Sequence, residues 1–164
     1  MSGRHLWYDA TWNLKHIRNG EVIWEETKRN ALLNEGEENM LRTYFRAESL
    51  PPAFYVRLCN DTLVETDTLS TVLNEPSGNG YAPYLLERST VGWPTIEEDA
   101  GDFRVISKMI TFTAIGGSIG PVSTAYLATT LNNTGKLIAA NGLSIVRTIL
   151  AGDSLQGTIR IKLQ

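Results

Sequence analysis

The sequence predicts a single, mainly β domain: a β-sandwich or jelly-roll with one short α-helix and an N-terminal β-hairpin or arm. Three observations lead to this prediction. Strand-like runs follow one another at about ten-residue spacing in the second half of the chain, with Gly or Asn between them. An Asn-Gly pair separates two apolar runs near the N-terminus, and only one segment has helical periodicity. At 164 residues, the chain has the length of one domain.

The first element is a predicted hairpin in the stretch TWNLKHIRNGEVIWEET. Its turn lies at Asn19-Gly20, because a type I′ turn requires positive φ at both central positions and these residues adopt it most readily. Charged and apolar residues alternate along both sides, so at least one face of the ribbon is expected to be in water. We assign residues 1–29 to this N-terminal arm or hairpin and residues 30–164 to the sandwich domain.

The stretch NALLNEGEENMLRTYFR changes to a helical period. Asn34 and Glu37 have the spacing of a capping box, which predicts a helix over residues 35–46. This helix must end before Pro51. The apolar residues at helical spacing are Met40, Leu41, Tyr44 and Phe45.

Strands and turns are predicted for the rest of the chain. A strand is expected in AFYVRLCN, a short helical turn at Leu69–Leu73, an edge strand after Pro83 and an acidic turn in TIEEDAGD. FRVISKMITFTA is the longest strand candidate, with a bulge or bend between Val105 and Ile110. Four further strands are predicted in GPVSTAYLATT, GKLIAANGLS, SIVRTIL and LQGTIRIKLQ.

The glycine-rich stretch NEPSGNGYAPYLLERS could be a phosphate-binding loop or a turn. A dinucleotide-binding loop needs a third glycine where Pro83 lies, and a P-loop needs Gly-Lys-Ser/Thr. A strand-like run follows instead of a helix N-terminus. Gly78 and Gly80 are therefore predicted to be turn residues that adopt positive φ.

Neither catalytic nor metal-binding patterns are apparent. The two histidines, His5 and His16, and the single cysteine, Cys59, lack the spacing of a zinc site and of a nucleophile with its base. Cys59 is expected to be a buried thiol on a strand. The acidic loops lack the residue order of an EF-hand. We therefore predict no catalytic, cofactor-binding or metal-binding residue, and a protein that is not an enzyme.

Charge and hydropathy limit the partners. The formal net charge of −3 gives no reason to expect nucleic-acid binding. Apolar runs are all shorter than the ~18–20 residues of a membrane helix, so no membrane contact is expected. An apolar signal sequence is lacking at the start, which predicts synthesis in a cytoplasm. The charge is asymmetric, acidic up to residue 102 and basic from residue 103 on. Such asymmetry is more often a feature of a solvated surface, and the alternative is contact between acidic and basic surfaces of two copies.

Several of these stretches, taken together, resemble structural proteins of tailed bacteriophages. In order, they are RNGEVIWEETKRNALLNEGEENML, then Glu75 with SGNGYA opening a strand, Trp93 with an acidic turn, ITFTAIGGSIGPVSTAYLAT, GKLIAANGLS and LAGDSLQGTIRIKL. The likeness spans roughly residues 12–163. It implies a small β-rich virion protein of the capsid decoration (cement) type, or less often a tail or fibre component.

The resemblance also implies partners and a location. They are the major capsid protein and copies of the protein itself, as a dimer or trimer, on the outer surface of the capsid, with no cofactor. The aromatic residues near the N-terminus are candidate contacts, because Trp and Tyr often anchor interfaces. The equally weighted alternative is that they form a small core under the hairpin. These candidates are Trp7, Tyr8, Trp12 and Trp24.

Two alternatives remain open at this point. One is a tail, neck or fibre structural component, which would be expected at a lower copy number than a capsid decoration protein. The other is a carbohydrate-binding or hydrolase module of a tail spike, with carboxylates on the loops of the sandwich.

Overall fold

The computed structural model describes residues 8–163, which form two antiparallel β-sheets with one α-helix. Helix α1 spans Asn34–Phe45, and a short 3₁₀ turn spans Leu69–Thr71. The strands are β1 (Tyr8–Arg18), β2 (Glu21–Ala31), β3 (Ala53–Cys59), β4 (Tyr84–Glu87), β5 (Thr95–Asp99), β6 (Asp102–Ile106), β7 (Ile110–Thr113), β8 (Ile119–Ala128), β9 (Leu137–Ile149) and β10 (Ser154–Leu163). The predicted fold class, a mainly β single domain of the sandwich type, is confirmed.

The larger sheet has the strand order β2-β1-β10-β6-β5, and β7 pairs with the first part of β10. The smaller sheet has the order β4-β3-β8-β9. One main core, which side chains from both sheets share, lies between them. Its members without exposed surface include Trp12 on β1, Leu127 on β8 and Ile159 on β10. The first and last strands, β1 and β10, therefore contribute side chains to the same core.

The predicted hairpin is present, with its turn at the predicted place. Asn19 and Gly20 have φ values of 51° and 81°, as a type I′ turn requires. β1 is an interior strand, since it pairs with β2 on one side and with β10 on the other, from Tyr8 to Ile17. The first strand of the predicted arm is therefore part of the main sheet.

The helix lies where the sequence predicts it, but the predicted capping box of Asn34 and Glu37 is wrong. The N-cap is Leu33, which has no side-chain cap, and the amide of Glu37 donates to the Leu33 carbonyl at 3.0 Å. Asn34 is already helical and exposed. Glu35 instead binds the rest of the fold, since its Oε2 accepts hydrogen bonds from the amides of Leu69 and Leu137 at 2.9 and 2.7 Å.

Two strand predictions need correction, and a third is confirmed. The expected acidic turn is a hairpin of β5 and β6, whose two turn residues, Ala100 and Gly101, have positive φ. The bend predicted between Val105 and Ile110 is confirmed, and it divides the long strand candidate into β6 and β7. It lies at Ser107, which exchanges hydrogen bonds with the backbone of Ile159. β9 is one strand of 13 residues where two shorter ones are predicted.

Candidate interaction surface at the hairpin tip

The structure separates the four aromatic residues that the sequence singles out. Trp12 has no exposed surface and belongs to the core, opposite Ile159. It corresponds to the alternative interpretation, a core residue, because its position on β1 faces the interior of the sandwich. Trp24 is half-buried on β2, at the edge of the sheet. Trp7 and the side chain of Tyr8 lie outside the described residues.

Trp24 lies where the edge strands β2 and β9 approach each other. The guanidinium of Arg147 lies 5.2 Å from the centroid of the Trp24 ring, a cation–π contact. Next to it, the amide of Ser144 donates to the Glu26 carboxylate at 3.2 Å. Each of these contacts involves at least one side chain, so the edges are connected here without a regular hydrogen-bond ladder.

Exposed apolar side chains neighbour Trp24 along β2 and Arg147 along β9, the two residues that make this contact. We call Val22, Ile23, Trp24, Ile145 and Val146 the hairpin-tip patch. Val22 and Ile145 are 50% and 57% exposed, and Ile23 and Val146 are 43% and 55% exposed. Single exposed apolar residues are ordinary, but clustered ones commonly mark contact surfaces. The sequence does not predict the β9 half of the patch, because SIVRTIL has the composition of a buried strand.

A buried polar cluster lies beneath the patch. Nε2 of His16 is 2.8 Å from Oδ2 of Asp153, and Nη2 of Arg147 is 2.9 Å from Nδ1 of His16. An arginine N–H always donates, so Nδ1 accepts and the ring donates from Nε2 to Asp153. Arg18 donates to both oxygens of the same carboxylate, at 2.8–3.1 Å.

The charges of this cluster keep Asp153 ionised. Hydrogen bonds from Arg18, and then from His16, lower the pKa of the Asp153 carboxyl to about 2, although burial opposes the shift. Arg147 connects the cluster to the surface, because its guanidinium contacts both His16 and Trp24. The hairpin-tip patch therefore lies on a charged, hydrogen-bonded cluster of His16, Asp153, Arg18 and Arg147.

A second polar network explains the glycine-rich stretch. Buried Arg57 forms an ion pair with Glu75, and the hydroxyl of Tyr81 donates to Glu75 at 2.6 Å and accepts from the amide of Leu58 at 3.0 Å. Burial and the neighbouring carboxylate raise the pKa of Tyr81. The glycines at 78 and 80 have positive φ, which confirms the predicted turn. These bonds fix the turn to β3.

The remaining candidate groups are the thiol of Cys59 and the side chains that could bind a metal ion. Burial raises the pKa of the Cys59 thiol to about 11, so it is protonated at neutral pH. Within residues 8–163, no cluster of three His, Cys, Asp or Glu side chains could hold a metal ion. In that same range, none of the helices is long and apolar enough to span a membrane.

No protein-family model matches the chain, and no curated protein matches its sequence.

Proposed function

We propose that the protein is a non-enzymatic structural protein of a tailed-bacteriophage virion. In this proposal it decorates the outer surface of the capsid, where it binds the major capsid protein and stabilises the shell. The hairpin-tip patch is the observation that carries the proposal, because it is an exposed apolar surface that lies on a hydrogen-bonded polar cluster. The resemblance described above supplies the kind of partner.

The structure around the patch suits binding to a large, ordered partner. Its apolar side chains come from β2 and β9, whose backbones belong to different sheets. Arg147 on β9 links these edges, because its guanidinium contacts Trp24 on β2 and His16 on the neighbouring β1. Little conformational entropy is therefore lost on docking, which favours affinity for a given contact area. Interfaces of this kind bury about 800 Å² on each partner.

Co-sedimentation with capsids tests the proposal. The purified chain is mixed with heads of the phage that carries this sequence, after the heads have been stripped of the endogenous protein. We expect the wild type to sediment with them at hundreds of copies per head. Ile145→Asp and Val22→Asp should weaken this binding about tenfold or more, because each places a charge in an apolar contact.

A matched control uses a different exposed apolar residue. Leu73 is 80% exposed and lies in the loop after the 3₁₀ turn, so Leu73→Asp should sediment like the wild type. Wild-type protein that stays in the supernatant contradicts the proposal. About a dozen copies per particle in the intact virion would indicate a neck or tail component instead. Binding to or cleavage of a surface polysaccharide would indicate a tail-spike module.

A further inference from the structure

A second apolar surface lies at the other end of the sandwich, beside helix α1. A groove of about 330 Å³ opens there between the helix and the two sheets, and we call it the helix-end groove. Its volume is at the lower end of the ~300–1,000 Å³ range of ligand pockets. Most of its lining is apolar, with Arg88 among the few polar residues. The lining includes Met40, Tyr44, Phe54, Trp93, Val105 and Ile161.

This end of the molecule is separate from the hairpin-tip patch. Ile161 in the groove pairs with Ala10 on β1, whereas Trp24 in the patch pairs with His16 on the same strand. These two positions on β1 are six residues apart, or roughly 20 Å at ~3.3 Å per residue. The two surfaces can therefore bind different partners independently.

Next to the groove, the β5–β6 hairpin presents an exposed apolar face. The register places Ile161, Val105 and Ile96 opposite one another on β10, β6 and β5, so their side chains share one face of the sheet. Phe103 and Glu98 are the neighbouring cross-strand pair on that face. Ile96 is 73% exposed and Phe103 is 58% exposed, so the apolar row continues from the groove into solvent.

The charges beside these two apolar features are complementary. Arg88 is exposed at the groove, and its only hydrogen bond among residues 8–163 is a long one, 3.5 Å, to the carbonyl of Pro51. Glu98 is exposed beside Ile96 and Phe103, and it has no ion-pair partner within the described part of the chain. One surface thus combines an apolar recess with a cation, and the adjacent one combines an apolar projection with an anion.

We propose that two copies of this chain associate through this end of the sandwich, each inserting Ile96 and Phe103 of its β5–β6 hairpin into the helix-end groove of the other. A recess and a projection that lie side by side on one surface meet reciprocally when a twofold axis passes between them. The same rotation brings Arg88 of each copy towards Glu98 of the other. The product is a closed dimer whose two hairpin-tip patches remain free.

Charge reversal followed by mixing tests this pairing. Sedimentation velocity should show a dimer for the wild type. Arg88→Glu and Glu98→Arg should each weaken the dimer about tenfold or more, because each places two like-charged pairs in the contact. An equimolar mixture of the two variants should form a dimer again, since both pairs between unlike variants are then of opposite charge. Arg46→Glu, which reverses another exposed arginine that does not line the groove, should leave the dimer unchanged.

Further variants separate this contact from the other end of the molecule. Ile96→Asp should give a monomer, whereas Ile145→Asp should remain a dimer. Circular dichroism and thermal melting confirm that each variant is folded. A wild type that is monomeric at 100 µM contradicts the proposal, and so does a mixture of charge variants that remains as weak as its components. Open chains of increasing length contradict the twofold arrangement. Because these measurements contain no capsid, their outcome is independent of the proposed function.

Discussion

Nε2 of His16 and Oδ2 of Asp153 lie 2.8 Å apart, although 137 residues separate them in the chain. Both side chains are buried, and Arg18 and Arg147 supply the remaining hydrogen bonds of the pair. This contact joins the end of β1 to the turn before β10. It therefore closes the hairpin end of the larger sheet and supports the proposed contact surface.

Asp153→Asn is expected to destabilise the fold. The carboxylate accepts charge-assisted hydrogen bonds from Arg18 and His16, and an amide can accept only some of them while it adds an N–H group that faces donors. The free energy of unfolding in urea should fall by about 2 kcal/mol. Glu25→Gln, which removes an exposed carboxylate on β2, should leave it almost unchanged. Equal effects of the two substitutions would contradict the structural importance of the cluster.

The same carboxylate predicts a dependence of stability on pH. The pKa of Asp153 is about 2 in the folded protein, below its ordinary value of 3.8, so unfolding takes up a proton between these values. Its contribution to stability is complete above pH about 4 and is lost as the pH falls through about 2. Urea unfolding from pH 6 to 2 should show a smaller loss for Asp153→Asn than for the wild type. Parallel curves would show that Asp153 does not titrate in this way.

Trp12→Ala should be severely destabilising. The side chain is fully buried between the sheets, so its removal leaves a large cavity, and we expect a loss of about 3–5 kcal/mol in the free energy of unfolding. The indole nitrogen has no hydrogen-bond partner among the described residues, so this loss comes from packing. Trp24→Ala should cost clearly less, since Trp24 is half-buried at the sheet edge. Urea unfolding of both variants measures the difference, and a mild effect at Trp12 would contradict its place in the core.

Features that depend on neighbouring residues were predictable from the sequence. The type I′ turn follows from Asn19-Gly20 alone, and α1 follows from the spacing of its apolar residues. The burial of Trp12 was also available, because Ala10, Trp12 and Leu14 alternate with polar residues along β1. The abundance of aromatic residues left an interface and a small core equally weighted, whereas the two-residue alternation along β1 indicates the core for Trp12.

Features that depend on distant strands were not predictable. The hairpin-tip patch exists because β9 turns its second half towards β2, more than a hundred residues away in sequence. Ile145 and Val146 are adjacent in sequence and both are exposed, which the alternation of a regular strand does not predict. Likewise, Glu35 accepts hydrogen bonds from the 3₁₀ turn and from β9, which are distant in sequence. Local spacing could indicate only the capping box at Asn34.

Substitutions at the start of α1 distinguish a local helix cap at Asn34 from the connection that Glu35 makes to the 3₁₀ turn and β9. Asn34 is exposed and its side chain has no hydrogen bond within the described residues, so Asn34→Ala should leave the stability almost unchanged. Glu35→Ala should lower the free energy of unfolding by about 2–3 kcal/mol, because the amides of Leu69 and Leu137 lose their acceptor. Glu35→Gln keeps one acceptor oxygen and should fall between them. Urea unfolding measures all three variants. If Asn34→Ala were the more damaging substitution, the helix would depend on a local cap, and the connection from Glu35 to β9 would be of minor importance.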